Sequence, residues 1–399
     1  MRPHKSRRIA AGIVALILIA FVGIGAGNGL RAIPVVAASV NTLPRVAGSA
    51  DIGWPAKGEA AVSALEYGSL GEHGGNTPLP TASIAKVITS LAVLQKSPLQ
   101  AGEQGPSYTV TEADVASYND YVARDGSVVT VTLGEQITEY QALQALMLPS
   151  ANNIADSLTV WVFGSFANYK TYAAQMLGTL GMKDTVIGSD ASGLAPDTVS
   201  TPSDLIKLGT AVLNHPVLSQ IVAQTSASLP VAGTVHNVDW LLGSHGVIGV
   251  KTGNSDEAGG CFLFASKHQI GPKTITLVGA VMGANDLNGA LSSSAALIDS
   301  AASTFSYVTP ITKSQEIATY KLPWGGTATA VAKNDMSFVR WSGADVSSQA
   351  TFSTVHTSLP SGSNLGTLTI TNGTHAHKIA VVAKTAIPGP SFWWRVTRH

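Results

Sequence analysis

The sequence predicts an α/β (α+β) chain, an antiparallel sheet flanked by helices with a helical insert, followed by a small all-β domain. Three observations predict it. Short β-like runs lie at 59–68 and 246–283. Between them, residues 135–215 carry mostly helical periodicity. From about Thr312 the apolar residues alternate with period two instead. A chain of 399 residues can bury a sizeable core in more than one domain.

The elements follow in order. Arg2, Lys5, Arg7 and Arg8 make a basic end, residues 1–8. The run "IAAGIVALILIAFVGIGAG", residues 9–27, has no charge and is close to the length a membrane helix needs. It reads as an uncleaved transmembrane anchor with its basic end in the cytoplasm. The alternative is a cleaved signal segment with its site at Gly25-Ala26-Gly27. Residues 28–50 read as a tether. "EAAVSALEYG" reads as a first strand, and Gly-rich 68–80 as a loop. "EQITEYQALQALML" is an amphipathic helix stopped by Pro149, and two further helices follow it. Thr201, Pro202 and Asp204 fit an N-cap, first position and first turn. "GVIGVKTG", "GCFLFASKH" and "KTITLVGAVMG" read as strands, and a helix over 287–305 closes the unit spanning 51–311. Residues 312–399 form the β-rich domain, with Asn372-Gly373 as a hairpin turn.

Composition narrows the function. Charged residues are 12% and apolar ones 45%, which excludes a disordered chain. Lys+Arg and Asp+Glu both number 24, so no basic excess points to nucleic acid. The single cysteine, Cys261, sits in the apolar run "CFLFA" and reads as a buried small hydrophobe. His375 and His377 share a strand face but lack a third ligand, and no HExxH occurs, so no metal or other cofactor is expected. Trp393 and Trp394 read as packed in the β domain rather than in lipid.

The stretch "TASIAKVITS" carries the chemistry. Ile84, Val87, Ile88 and Leu91 form an apolar helical stripe, yet Lys86 stands one turn after Ser83 beside it. Ser150-Ala151-Asn152 follows the proline-stopped helix, and Lys251-Thr252-Gly253 ends an apolar strand. Each motif is weak alone. In this order and local context, chance explains them poorly.

On these motifs the sequence resembles the penicillin-recognising serine enzymes, and within them the low-molecular-mass D-alanyl-D-alanine carboxypeptidases of peptidase family S11. The resemblance covers residues from about 50 to 310 and implies the penicillin-binding, β-lactamase-like transpeptidase fold. More loosely, the tail resembles the β domain of exported actinobacterial members. The resemblance implies Ser83 as nucleophile and Lys86 as its base. A lysine serves as a base only when neutral, and burial near the positive Lys251 would make it so. Ser150 would relay a proton to the leaving amine, and Asn152 would orient Lys86 and hold the substrate amide. Lys251 and Thr252 would bind a terminal carboxylate. Gly253 would let a peptide lie close to the backbone. The N–H groups of Ser83 and, by the resemblance, Asn254 would hold the oxyanion.

The expected substrate is a peptidoglycan stem pentapeptide ending in D-Ala-D-Ala, with β-lactams as inhibitors and the enzyme on the wall side of the membrane. Cleavage of cross-links by the same site is the nearest alternative. A transpeptidase is disfavoured because only about 30 residues separate the apolar run from the first strand. A class A β-lactamase would need a deacylating glutamate between the second and third motifs, and residues 153–250 contain none. A catalytically silent wall-binding scaffold is disfavoured by the intact Ser83, Lys86, Ser150 and Lys251.

Overall fold

Alternation along one strand sets the architecture. In Gly259–Ile270, Cys261, Leu263 and Ala265 join a core shared with the helical block, while Phe262 and Phe264 point to the opposite face. Both sets are fully buried, which explains why the run is apolar without a break. The computed structural model describes residues 4–41 and 45–398. They divide into two units, Ala50–Ser306 and a second one built from Met1–Ser49 with Tyr307–His399.

The first unit is built on a five-stranded antiparallel sheet. Its order is Val247–Ser255, Gly259–Ile270, Lys273–Ala284, Glu59–Ala64, Gly68–His73. Helix Leu287–Ser303 packs on the two strands Gly259–Ile270 and Lys273–Ala284. Helix Pro202–Asn214 packs on the other face, with Gly209 against Val278 and Leu263. Thr201 caps this helix through Asp204 N–H and Pro202 stands in its first turn, as expected. The helices Ala85–Lys96, Glu139–Met147, Asn152–Phe163 and Phe166–Thr179 pack on one another as the insert. The all-antiparallel pairing and the flanking helices bear out the expected fold class.

Three elements differ from the sequence reading. Gly68–His73 is an edge strand and not a loop. Its glycines adopt φ of +80° at Gly68 and +151° at Gly71, beside a register shift opposite Val62 and Ser63. Trp54 lies over Gly71 where a Cβ would stand 2.9 Å from its ring. The helix expected from Glu135 starts at Glu139, because Thr138 and Gln141 form a capping box and Gln136–Thr138 pairs with Ser107–Thr109. A helix at Glu112–Ala123, capped by Thr111 and Asp114, was not anticipated.

The second unit holds a six-stranded sheet over Ile311, Tyr320, Leu365 and Leu368. Within it, Ser39–Val40 pairs with Glu316–Lys321, and Val36 and Val46 bridge to Val355 and Val346. Part of the stretch read as a tether therefore serves as a strand. Backbone hydrogen bonds make that pairing, so its side-chain pattern gives little sign of it. The Asn372-Gly373 hairpin forms, with Gly373 at φ +61°. Asn372 itself is buried and donates to the Trp341 and Ala344 carbonyls.

Gly279 tests the sheet core. A Cβ there would stand 2.3 Å from the Phe264 ring and 2.8 Å from the Ala61 carbonyl oxygen. Gly279→Ala is expected to cost roughly 1–3 kcal/mol by overpacking. A urea denaturation midpoint unchanged from wild type would show that the two strands yield freely.

Candidate active site

Ser83 lies in a short 3-10 turn, Ala82–Ile84, that runs into helix Ala85–Lys96. Ala82 enters it at φ +44°, a left-handed conformation that costs a non-glycine residue on the order of 1 kcal/mol. Two glycines let neighbouring segments press on this strained turn. At Gly253 a Cβ would stand 2.9 Å from Thr81 O and 3.2 Å from Ser83 N. At Gly193, φ +74°, it would stand 2.0 Å from Ala82 O. The expectation for Gly253 concerned room for a peptide; the contact seen is with the turn that carries Ser83.

Lys86 is fully buried, with Nζ 2.8 Å from Ser83 Oγ, and it donates to the Ser192 carbonyl at 2.9 Å. The Asn152 side chain is not among its hydrogen-bond partners; Asn152 is buried with its amide nitrogen beside Gly126. Burial, and then the charge of Lys251, hold the Lys86 amine well below the usual lysine range. Asp190 and Asp156 pull weakly the other way. A neutral amine at this distance can take the proton of a serine hydroxyl.

The loop that closes over Lys86 was not found from sequence. Asp190 accepts from the N–H groups of Ser192, Gly193 and Ala195, each at 2.6 Å, and from Ser192 Oγ. Thr89 Oγ1 donates to the Ala191 carbonyl. The readable signal is Asp190 with Ser192 and Gly193 after it, a pattern that favours an Asx turn.

Lys251, on the edge strand Val247–Ser255, is also buried, and burial pushes its amine down to about 7. Asp239 opposes this. That carboxyl, missed in the sequence, is itself buried and pushed up to about 6, with Oδ2 lacking a hydrogen-bond partner among the described residues. Thr252 is buried beside Lys251 and Asn254 is exposed. Ser150 opens the second motif at φ +68°, and its buried Oγ also lacks a partner among the described residues. Helix Asn152–Phe163 starts directly after it and packs on the Ser83 helix.

Residues 69–286, more than half of the chain, match the family described as D-alanyl-D-alanine carboxypeptidase, peptidase S11. The chain belongs to that family. It is a serine-type, penicillin-binding D-Ala-D-Ala carboxypeptidase. The D-alanyl-D-alanine carboxypeptidase of Streptomyces sp. (strain K15) is 30% identical over 238 residues, 55% of this chain and 77% of that one. The crystal structure of the Streptomyces K15 DD-transpeptidase superposes with a TM-score of 0.55 at 22% identity, over 64% of this chain and 98% of that one. A peptidoglycan synthesis regulatory factor (PBP3) from Streptococcus pneumoniae gives 0.60 at 19% identity, over 84% and 100%. These two structural likenesses speak for the fold. Within the carboxypeptidase family frame, no group of three or more His, Cys, Asp or Glu able to hold a metal occurs among the described residues. His377 stacks on Phe338 with ring centroids 4.0 Å apart, and Cys261 is buried with its thiol pushed up to about 11.

The buried lysines predict a pH dependence of stability. Lys251 keeps its proton up to about 10.5 in the unfolded chain but only up to about 7 in the fold. Between those values the unfolded chain binds more protons, so stability rises with pH by on the order of 1 kcal/mol per unit from this group. Lys86 acts in the same direction. Denaturation at pH 7, 8 and 9 is expected to show stability rising, with a smaller rise in Lys251→Met. An identical slope in that variant would mean that Lys251 stays protonated in the fold.

Proposed function

We propose that this carboxypeptidase removes the terminal D-Ala from peptidoglycan stem peptides ending in D-Ala-D-Ala, through an acyl-enzyme on Ser83. One observation carries the assignment of residues: a buried amine, its proton affinity lowered by burial and then by Lys251, 2.8 Å from the Ser83 hydroxyl.

Lys86 Nζ takes the proton as Ser83 Oγ attacks the carbonyl carbon of the penultimate D-Ala. The oxyanion accepts hydrogen bonds from the N–H groups of Ser83 and Asn254. When the C–N bond breaks, Ser150 donates its proton to the departing D-Ala nitrogen and takes in its place the one held by Lys86. The partnerless Ser150 Oγ supports this role, since a buried hydroxyl without a partner is costly until a ligand supplies one. Asn152 holds the substrate amide. Lys251 and Thr252 grip the free carboxylate of the substrate, and Gly253 lets the nucleophile turn stand against their strand. Water then attacks the ester and frees Ser83. β-Lactams enter the same site as mimics of the dipeptide.

The helix over Arg7–Leu30 has a mean hydropathy of 2.7 and is long and apolar enough to cross a membrane. We infer that it anchors the catalytic unit on the wall side. The basic residues before it support that orientation, although Arg2 lies outside the described residues.

Ser83→Ala is expected to abolish covalent labelling by a fluorescent penicillin while leaving the fold intact. Labelling that persists on another residue would overturn the assignment. In the wild type, the penicilloyl adduct is expected to outlast removal of excess drug, since no glutamate occurs in 153–250 to activate water and the opened ring stays attached. Intact-protein mass spectrometry reads it. An adduct gone within seconds, with catalytic consumption of the drug, would mark a β-lactamase.

A further inference from the structure

The last helix of the chain, Phe392–Thr397, packs on the final turns of the apolar N-terminal helix His4–Leu30. The buried Asn28 side chain donates to the carbonyls of Val396 at 3.3 Å and Arg398 at 2.8 Å. In return, the Arg398 guanidinium donates to the backbone carbonyls of Asn28, Arg31 and Ala32. Gly25 and Gly29, four apart on one face, both stand against Val396: a Cβ at Gly25 would make an ordinary contact of 3.6 Å with Val396 Cβ. From Ile9 to Ile24 the N-terminal helix is exposed, and it becomes covered only at Gly25, Asn28 and Gly29.

Two features of this small helix point outward. Phe392 is 71% exposed and Trp393 68% exposed, with their rings edge to face. Trp394 instead turns inward, donating to the Pro323 carbonyl and packing on Trp324. The expected packing of the Trp pair therefore holds for Trp394 and fails for Trp393. Exposed Arg31 directly follows the N-terminal helix, and exposed Arg395 lies on the small one.

Position along the span says what covers the two aromatics. A bilayer core takes about 20 helical residues. Counting from Ile9, the first residue after the basic end, those 20 run out at about Asn28, where the terminal helix is stapled. Aromatic rings and arginines at that depth are the pattern of a membrane–water interface.

We propose that Phe392–Thr397 is a collar at the outer end of the anchor. It sets Phe392 and Trp393 into the headgroup layer of the membrane that the N-terminal helix crosses, with Arg31 and Arg395 toward lipid phosphates. The collar fixes how deep the anchor sits and holds the C-terminus of the second unit to the bilayer surface. It rests on the reading of Arg7–Leu30 as a span.

The test uses the full-length protein in phosphatidylcholine–phosphatidylglycerol vesicles whose acyl chains carry bromine near the headgroup. Wild type and Trp393→Phe are compared by bromolipid quenching of tryptophan emission, and retention by the vesicles is followed through alkaline carbonate. Trp393 is exposed, so the substitution leaves the fold in place. The quenchable emission is expected to fall by about half or more in Trp393→Phe, in protein that resists carbonate. Equal quenching in both proteins, with carbonate resistance kept, would overturn the collar and leave the anchor standing. Loss of the protein to carbonate while the variant still lowers quenching would keep the interfacial contact and remove the span. Loss to carbonate without a difference in quenching would overturn both.

Discussion

A buried lysine without a carboxylate partner is the constraint around which the catalytic unit is arranged. Among the described residues Lys86 has no counter-ion in hydrogen-bonding contact; its partners are a hydroxyl and a carbonyl. A charged ammonium in such a place is costly, and losing the proton is the cheaper outcome. Asp190 stands close enough to pull against this. Its oxygens, however, are occupied by three backbone N–H groups and one hydroxyl, which spreads its charge into the loop it organises. The same carboxylate thus builds the loop whose Ser192 carbonyl holds Lys86.

Two strained residues lie where the chemistry is proposed. Ala82 and Ser150 are both non-glycine residues in the left-handed region; Ala82 precedes the first motif and Ser150 opens the second. Neither could hold that conformation in a loose loop. Ala82 is pressed between Gly253 on one side and Gly193 on the other, where any side chain would collide. Behind Gly253 lies a sheet buried on both faces, and behind Gly193 the Asp190 loop. Overpacking any layer of that stack would be felt at Ser83, because close-packed interiors transmit displacement.

What the sequence made legible followed from short-range spacing. Ser83 and Lys86 meet because one helical turn separates them. The apolar strands over 246–283 and the cap at Thr201 depend on neighbours a few residues away. What stayed hidden depended on partners far along the chain. Ser39 and Val40 look like linker because their pairing with Thr319 and Ala318 uses only backbone. Gly68–His73 looks like a loop because Gly68 closes the turn at 65–67 and Gly71 makes room for Trp54, and neither leaves an alternating pattern. Asp239 sits among many other acidic residues, and only its burial near Lys251 distinguishes it. The reason for Gly253 was also out of reach, since its contact is with a turn some 170 residues earlier (253 − 83 = 170).

Lys251 faces two demands that pull its proton in opposite directions. To keep Lys86 neutral, and to bind a carboxylate, it must be charged. Burial favours its neutral form, and the balance leaves it at about 7. Asp239 offsets part of the burial, but that carboxyl is itself raised to about 6, so it supplies a full negative charge only above that value. On the proposed reading, the arriving substrate carboxylate completes the environment that Asp239 only partly provides. It accepts hydrogen bonds from the Lys251 ammonium and stabilises that proton. A charged Lys251 in turn disfavours a second proton on Lys86 nearby. The carboxylate would thus support the base through Lys251, and a substrate lacking it would meet a Lys251 that is not held in its charged state.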